Sequence, residues 1–95
     1  MKISDIYLKK LEDAKPFLAK ARNTQDYGAR DSFESRALGY QCQAGHLAHC
    51  IARFGDQHIE TMDIPKLLAQ VENMNCAYEN PWLRGLRVIE RELAS

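Results

Sequence analysis

Two cysteines and two histidines lie within nine residues of this 95-residue chain, in the stretch CQAGHLAHC at positions 42–50. Thiolates and imidazoles are ligands that zinc prefers, so these side chains are the first candidates for chemistry. A cysteine beside a histidine is also the pair that activates a thiol nucleophile. To choose between a zinc site and a thiol nucleophile, we first ask where a helix would place these side chains.

Apolar residues around this stretch predict a helix with one core-facing stripe. The stripe steps by four and three through Phe33, Ala37, Tyr40, Ala44, Leu47, Ile51 and Phe54. At about 100° per residue, both histidines and both cysteines fall behind the stripe, on the far side of the helix. These positions are Cys42, His46, His49 and Cys50.

A structural zinc site needs four tetrahedral ligands, and one helix face cannot surround an ion. The fourth ligand would have to come from His58 or Cys76, and the chain has neither a CxxC pair nor an HExxH motif. We therefore expect no metal and no cofactor. A metal or ligand sensor that uses Cys42, His46 and His49 is the alternative.

Catalytic motifs are also missing from the sequence. We find no phosphate-binding glycine loop, no carboxylate pair and no nucleotide fingerprint. Cys42 and His46 are a thiol–imidazole pair at helical reach, but such a pair also needs an orienting group and an oxyanion hole. We expect that the protein is not an enzyme.

A second periodic pattern lies on the outer side of the same helix. Its steps of three and four connect Leu38, Gln41, Gly45, Ala48 and Ala52. A glycine in mid-helix costs about 1 kcal/mol relative to alanine, which suggests that another backbone approaches there. Either the other helices of this chain wrap this face, or it binds a partner or a second copy. Together with His49, these residues are predicted as a partner-binding surface.

A stripe of arginines near the C-terminus is the other candidate surface, formed by Arg84, Arg87 and Arg91. Guanidinium groups at this spacing can hold phosphates or the carboxylates of a partner. A solvated face shared with Glu90 and Glu92 is the alternative. Because 13 basic residues balance 13 acidic ones, we assign the stripe to partner binding and regard nucleic acid as disfavoured.

Capping signals divide the chain into helices. A first helix carries Pro16, which predicts a kink or a break. Residues 23–31 are predicted as a loop, with Gly28 in a left-handed turn, and Asp31 as the cap of the second helix. Gly55 should end that helix.

Two later helices should begin after Asp63 and Asn80, since a proline in the first turn follows each cap. The predicted core face of the third helix consists of Ile64, Leu67, Leu68, Val71, Met74 and Tyr78. That of the fourth consists of Trp82, Leu86, Ile89 and Leu93. The fold class is all-α: a small antiparallel helical bundle of three to four helices, forming one domain over residues 1–95.

Composition narrows the functional classes. The chain has no apolar run of about 20 residues, so we expect no membrane contact. Its first residues lack the apolar stretch of a signal peptide, and three cysteines do not form a disulfide framework, which favours a cytoplasmic location. The predicted function is stoichiometric protein–protein interaction, as a regulator, inhibitor or adaptor of the type that phages and mobile elements encode. Self-association is a further expectation, and a nucleic-acid binder that uses the arginines is a further alternative.

Overall fold

A computed structural model describes residues 1–74 and 80–95, and these residues form an all-α bundle. The α-helices are α1 (Ile3–Arg22), α2 (Tyr27–Phe54), α3 (Ile64–Val71) and α4 (Pro81–Ala94). A short 3-10 turn, Ile59–Thr61, connects α2 to α3. This confirms the predicted fold class. None of the helices within the described ranges is long and apolar enough to cross a membrane.

The first two helices form a long antiparallel hairpin. Its helices approach closely because small side chains lie between them: Ala14 and Ala21 on α1, and Ala37 and Ala44 on α2, are all buried. Phe17 stacks on Tyr40 across the same interface, with ring centroids 5.9 Å apart. The predicted core stripe of α2 is therefore the face that packs on α1.

Pro16 lies inside α1 without ending it. The predicted break is wrong, because the helix continues for a further turn and a half to Arg22. Pro16 and Glu12 are both exposed, so water can bond the Glu12 carbonyl that would otherwise accept a hydrogen bond from residue 16.

The start of α2 also differs from the prediction. The helix begins at Tyr27, with Asp26 as its cap, and the Asp26 side chain accepts a hydrogen bond from the Gly28 amide at 3.1 Å. Residues 27–31 are thus helical, and neither the longer loop nor the left-handed turn at Gly28 is present. Asp31 lies within the helix and does not cap it.

The predicted caps at Gly55, Asp63 and Asn80 are confirmed. Gly55 ends α2 with a φ of 84°, a value that favours glycine. Asp63 caps α3 by accepting from the Lys66 amide at 3.3 Å, and Asn80 caps α4 by accepting from the Leu83 amide at 3.0 Å. Asn80 also donates to the Val71 carbonyl at 2.6 Å, which ties the end of α3 to the start of α4.

The hydrophobic core is concentrated at one end of the hairpin. There side chains of α3, α4 and the 3-10 turn join those from the first turns of α1 and the last turns of α2 in one buried cluster. The largest fully buried side chains are Ile3, Ile6, Leu47, Cys50, Val71, Leu86 and Ile89. On α3 the predicted face is partly correct, since Ile64 and Val71 are buried, whereas Tyr78 lies outside the described residues. On α4, Leu93 is 42% exposed and contributes little to the core.

The N-terminus is fastened to the segment that follows α2. Ser4 donates to Asp56 from both its amide, at 2.8 Å, and its hydroxyl, at 2.6 Å. The Met1 ammonium donates to Glu60 at 2.9 Å. Hydrogen bonds from Ser4 lower the pKa of Asp56, and the hydrogen bond from the Met1 ammonium lowers the pKa of Glu60.

These contacts predict an acid-sensitive component of stability. Because both carboxyl pKa values are lowered in the folded protein, their stabilising effect is complete above the unfolded values. It is lost as the pH falls through the folded values, below about pH 4. We expect Ser4→Ala to reduce this dependence in thermal melts recorded between neutral and acidic pH. Identical pH profiles of the variant and the wild type would contradict this assignment.

Candidate functional site

The position of α4 on α2 is set by a glycine. A Cβ atom at Gly85 would collide with the Cys50 Sγ and would lie 2.7 Å from the His46 carbonyl oxygen. Only glycine allows the two backbones to approach this closely. Trp82, one turn earlier on α4, lies beside His49 and Arg53, so α4 runs antiparallel to α2.

Cys50 is therefore a core residue, and its predicted place on the outer side of α2 is wrong. It is fully buried, and its thiol donates to the Trp82 carbonyl at 3.5 Å. Burial raises the pKa of the Cys50 thiol to about 11. Since the thiolate is the form that attacks electrophiles and binds metals, this cysteine is chemically inert.

Of the remaining thiol and imidazoles in the stretch 42–50, Cys42 and His46 share one face of α2, and His49 lies on another. Cys42 is exposed, and His46 is half-buried beside α4. His49 is exposed and contacts the edge of the Trp82 ring, with centroids 6.1 Å apart. Across the described parts of the chain, no group of three His, Cys, Asp or Glu residues is placed to hold a metal ion. Cys76 lies outside those parts.

We expect the purified protein to contain well under one equivalent of zinc and to keep its melting temperature in EDTA. The reason is that Cys42 and His46 supply too few ligands from one helix face. Metal analysis and thermal melting test this expectation. One tightly bound zinc ion per chain, lost in both Cys42→Ser and His46→Ala, would support a sensor instead.

The outer face of α2 is uncovered in the described part of the chain. Leu38 is 59% exposed, and a Cβ atom at Gly45 would meet nothing within 4 Å. Gln41, Ala48, His49 and Ala52 are exposed as well. Gly45, Ala48, His49 and Ala52 line a shallow hollow of about 400 Å³. The explanation in which the helices of this chain wrap the face therefore fails for the described residues.

The predicted arginines line a groove between α2 and α4 of about 500 Å³, which we term the arginine groove. All three arginines, Arg84, Arg87 and Arg91, are exposed. The groove also contains Leu83 and Val88 of α4, and its opposite wall consists of Gly39, Cys42, Gln43 and His46 of α2. Arg87 forms an ion pair with Glu90 at 2.9 Å.

Sequence reasoning missed the α2 wall of this groove. The helical wheel placed His46 and Cys42 off the α1-facing stripe, but it did not show that a second helix packs beside them. One signal was present: Gly85 interrupts an otherwise regular helix, and a glycine within a helix can mark a close contact.

Similarity to other proteins adds no functional assignment. No protein-family model, no curated protein and no solved structure matches this chain. The exposed surfaces of α2 and α4 lie beside one another and share one groove.

Proposed function

We propose that this chain is a protein-binding module that acts stoichiometrically, as a regulator, inhibitor or adaptor, through the exposed surface of α2 and α4. The uncovered outer face of α2 carries the proposal. Gly45 on this face and Gly39 in the wall of the arginine groove each weaken the helix by about 1 kcal/mol relative to alanine. Neither has a neighbouring atom that a Cβ would meet. An approaching partner explains these glycines, whereas solvent does not require them.

The cellular location is part of the proposal. Cys42 and Cys50 are both free thiols, and free cysteines are typical of reducing compartments. We place the protein in the cytoplasm, where it binds its partner without chemical turnover.

Site-specific photo-crosslinking tests the proposed function. A photoreactive amino acid replaces Ala48 on the outer face of α2, and the same amino acid at Ala69, an exposed position of α3, is the matched control. We expect position 48, but not position 69, to crosslink to one protein in cells of the source organism. That protein, once purified, should form a complex of fixed stoichiometry in analytical ultracentrifugation.

A crosslink from position 48 to a second copy of the chain would identify the partner as the protein itself. Equal crosslinking from both positions, or none from position 48, would contradict the proposed function.

A further inference from the structure

The arginine groove concentrates positive charge on a protein whose basic and acidic residues balance at 13 each. Among the described residues, its lining contains three arginines and His46, and no aspartate or glutamate. Glu90 pairs with Arg87 from outside the lining, and each partner is about half exposed (55% and 45%). Such an exposed pair is weak, so Arg87 can exchange Glu90 for another carboxylate.

The spacing of the arginines matches that of a second helix. Arg84, Arg87 and Arg91 are three and four residues apart, so they rise by about 4.5 and 6 Å along the axis of α4. Acidic residues three and four apart on another helix repeat the same rises. Three carboxylates could then face three guanidinium groups at once, and guanidinium–carboxylate pairs are among the stronger hydrogen-bonded pairs because they can be bidentate.

Apolar surface accompanies this charge. Leu83 and Val88 line the groove together with the arginines, and Gly39 has open space where a side chain would be, so a partner backbone can approach α2. Gly39 and Gln43 also line a second hollow of about 320 Å³, together with Arg36 and the stacked, half-buried rings of Phe17 and Tyr40. The Arg36 guanidinium lies 5.6 Å from the centre of the Phe17 ring, so this hollow joins apolar surface with positive charge. A helix with one acidic and one apolar stripe complements both parts of the surface.

A nucleic-acid duplex complements this surface less well. Duplex binding neutralises many phosphates along a broad basic face. Here only three of the 13 basic residues line the groove, and Glu90 lies beside Arg87. Leu83 and Val88 in the lining are apolar and offer nothing to a sugar–phosphate backbone.

From this charge, spacing and apolar lining we infer that the arginine groove binds an acidic amphipathic helix of a protein partner. Its acidic residues, three and four apart, pair with Arg84, Arg87 and Arg91, and its apolar residues contact Leu83 and the Phe17–Tyr40 hollow. This inference rests on the proposed function and specifies the chemistry of the partner.

The test uses a synthetic helical peptide with glutamates at positions i, i+3 and i+7 and leucines on the adjoining stripe. A control peptide has the same composition but moves the glutamates out of this register. We expect the first peptide to bind the full-length protein in fluorescence anisotropy at physiological ionic strength. The triple variant Arg84→Gln, Arg87→Gln, Arg91→Gln should weaken binding by about tenfold or more, because three charge pairs are lost.

A charge-matched variant controls for net charge. Arg22→Gln, Arg30→Gln, Lys66→Gln removes three positive charges from exposed positions outside the groove and should leave peptide binding unchanged. Cys42 supplies a second readout, since it is exposed within the groove. Bound peptide should slow alkylation of Cys42, measured by mass spectrometry, while the buried Cys50 remains unmodified.

Several results would overturn the inference: no binding of the in-register peptide, equal binding of both peptides, equal losses in the two triple variants, or no protection of Cys42. A short DNA duplex that binds with the same dependence on the three arginines would overturn it in favour of phosphate recognition. Crosslinking at position 48 does not depend on the arginines. A partner captured there would support the proposed function even if no acidic peptide bound the arginine groove.

Discussion

The Gly85→Ala variant is expected to be less stable than the wild type by about 1–3 kcal/mol, the usual cost of overpacking a core. In an open helix the same substitution would stabilise by about 1 kcal/mol. The sign reverses here because the new methyl group collides with the Cys50 Sγ and approaches the His46 carbonyl oxygen. A backbone oxygen within a helix cannot move without moving α2. Urea unfolding followed by circular dichroism measures the difference.

Gly45→Ala is the matched control, since a Cβ atom at Gly45 meets nothing within 4 Å. This variant should gain up to about 1 kcal/mol of stability. Adding Cys50→Ala to Gly85→Ala should restore part of the lost stability, because it removes the sulfur but leaves the His46 carbonyl in place. If Gly85→Ala proved as stable as Gly45→Ala, the close approach of α4 to α2 would be disproved.

Leu47→Ala is expected to cause the largest loss of stability, about 2–5 kcal/mol, because it leaves a cavity where the core elements meet. Leu47 is fully buried on α2 and belongs to the cluster that includes Ile3, Ile6 and Leu86. Its surroundings are packed from several helices, so they cannot collapse into the vacated space. Chemical denaturation gives the free energy of unfolding directly.

Leu38→Ala supplies the comparison on the same helix. Leu38 is 59% exposed, so its truncation should change the free energy of unfolding by no more than about 0.5 kcal/mol. Ile51→Ala should fall between the two, since this side chain is half-buried against the core. Losses of equal size at Leu38 and Leu47 would show that the outer face of α2 is covered after all.

Much of the fold could be predicted because local signals and packing agree along most of the chain. Asn80 stands directly before a first-turn proline, and Asp63 stands two residues before another. Gly55 supplies the positive φ that ends α2. These signals act within one turn of helix, so the residue types alone suffice to locate them.

The start of α2 could not be predicted as reliably, because Asp26 and Asp31 are both able to cap a helix. The choice of Asp26 adds residues 27–31 to the helix, and Ala29 among them is partly buried. That gain depends on tertiary contact with the hairpin partner. Pro16 is a similar case, since its effect depends on whether water reaches the helix around it.

The candidate site was predicted only in part. The exposed arginines and the outer face of α2 were identified from their periodicity, but the groove that joins Arg84 to His46 was not. A helical wheel gives the direction of each side chain. It does not show which other helix packs against a given face, because that depends on contacts between distant parts of the chain. Cys50 lies off the α1-facing stripe of α2, but it is buried because α4 packs against it.

Because the core is concentrated at one end of the hairpin, the two ends of α2 should differ in how easily they unfold. Between Lys15 and Arg36 the only buried residue is Ala21. The end of the hairpin where α1 connects to α2 therefore has few apolar contacts to lose when it opens. The C-terminal part of α2, at the other end of the hairpin, contributes Leu47 and Cys50 to the core. Amide hydrogens near Tyr27 should therefore exchange with solvent through brief local openings, and those near Leu47 only through global unfolding. One continuous helix would then contain two cooperative units, and its tip could melt and re-form while the core stays folded.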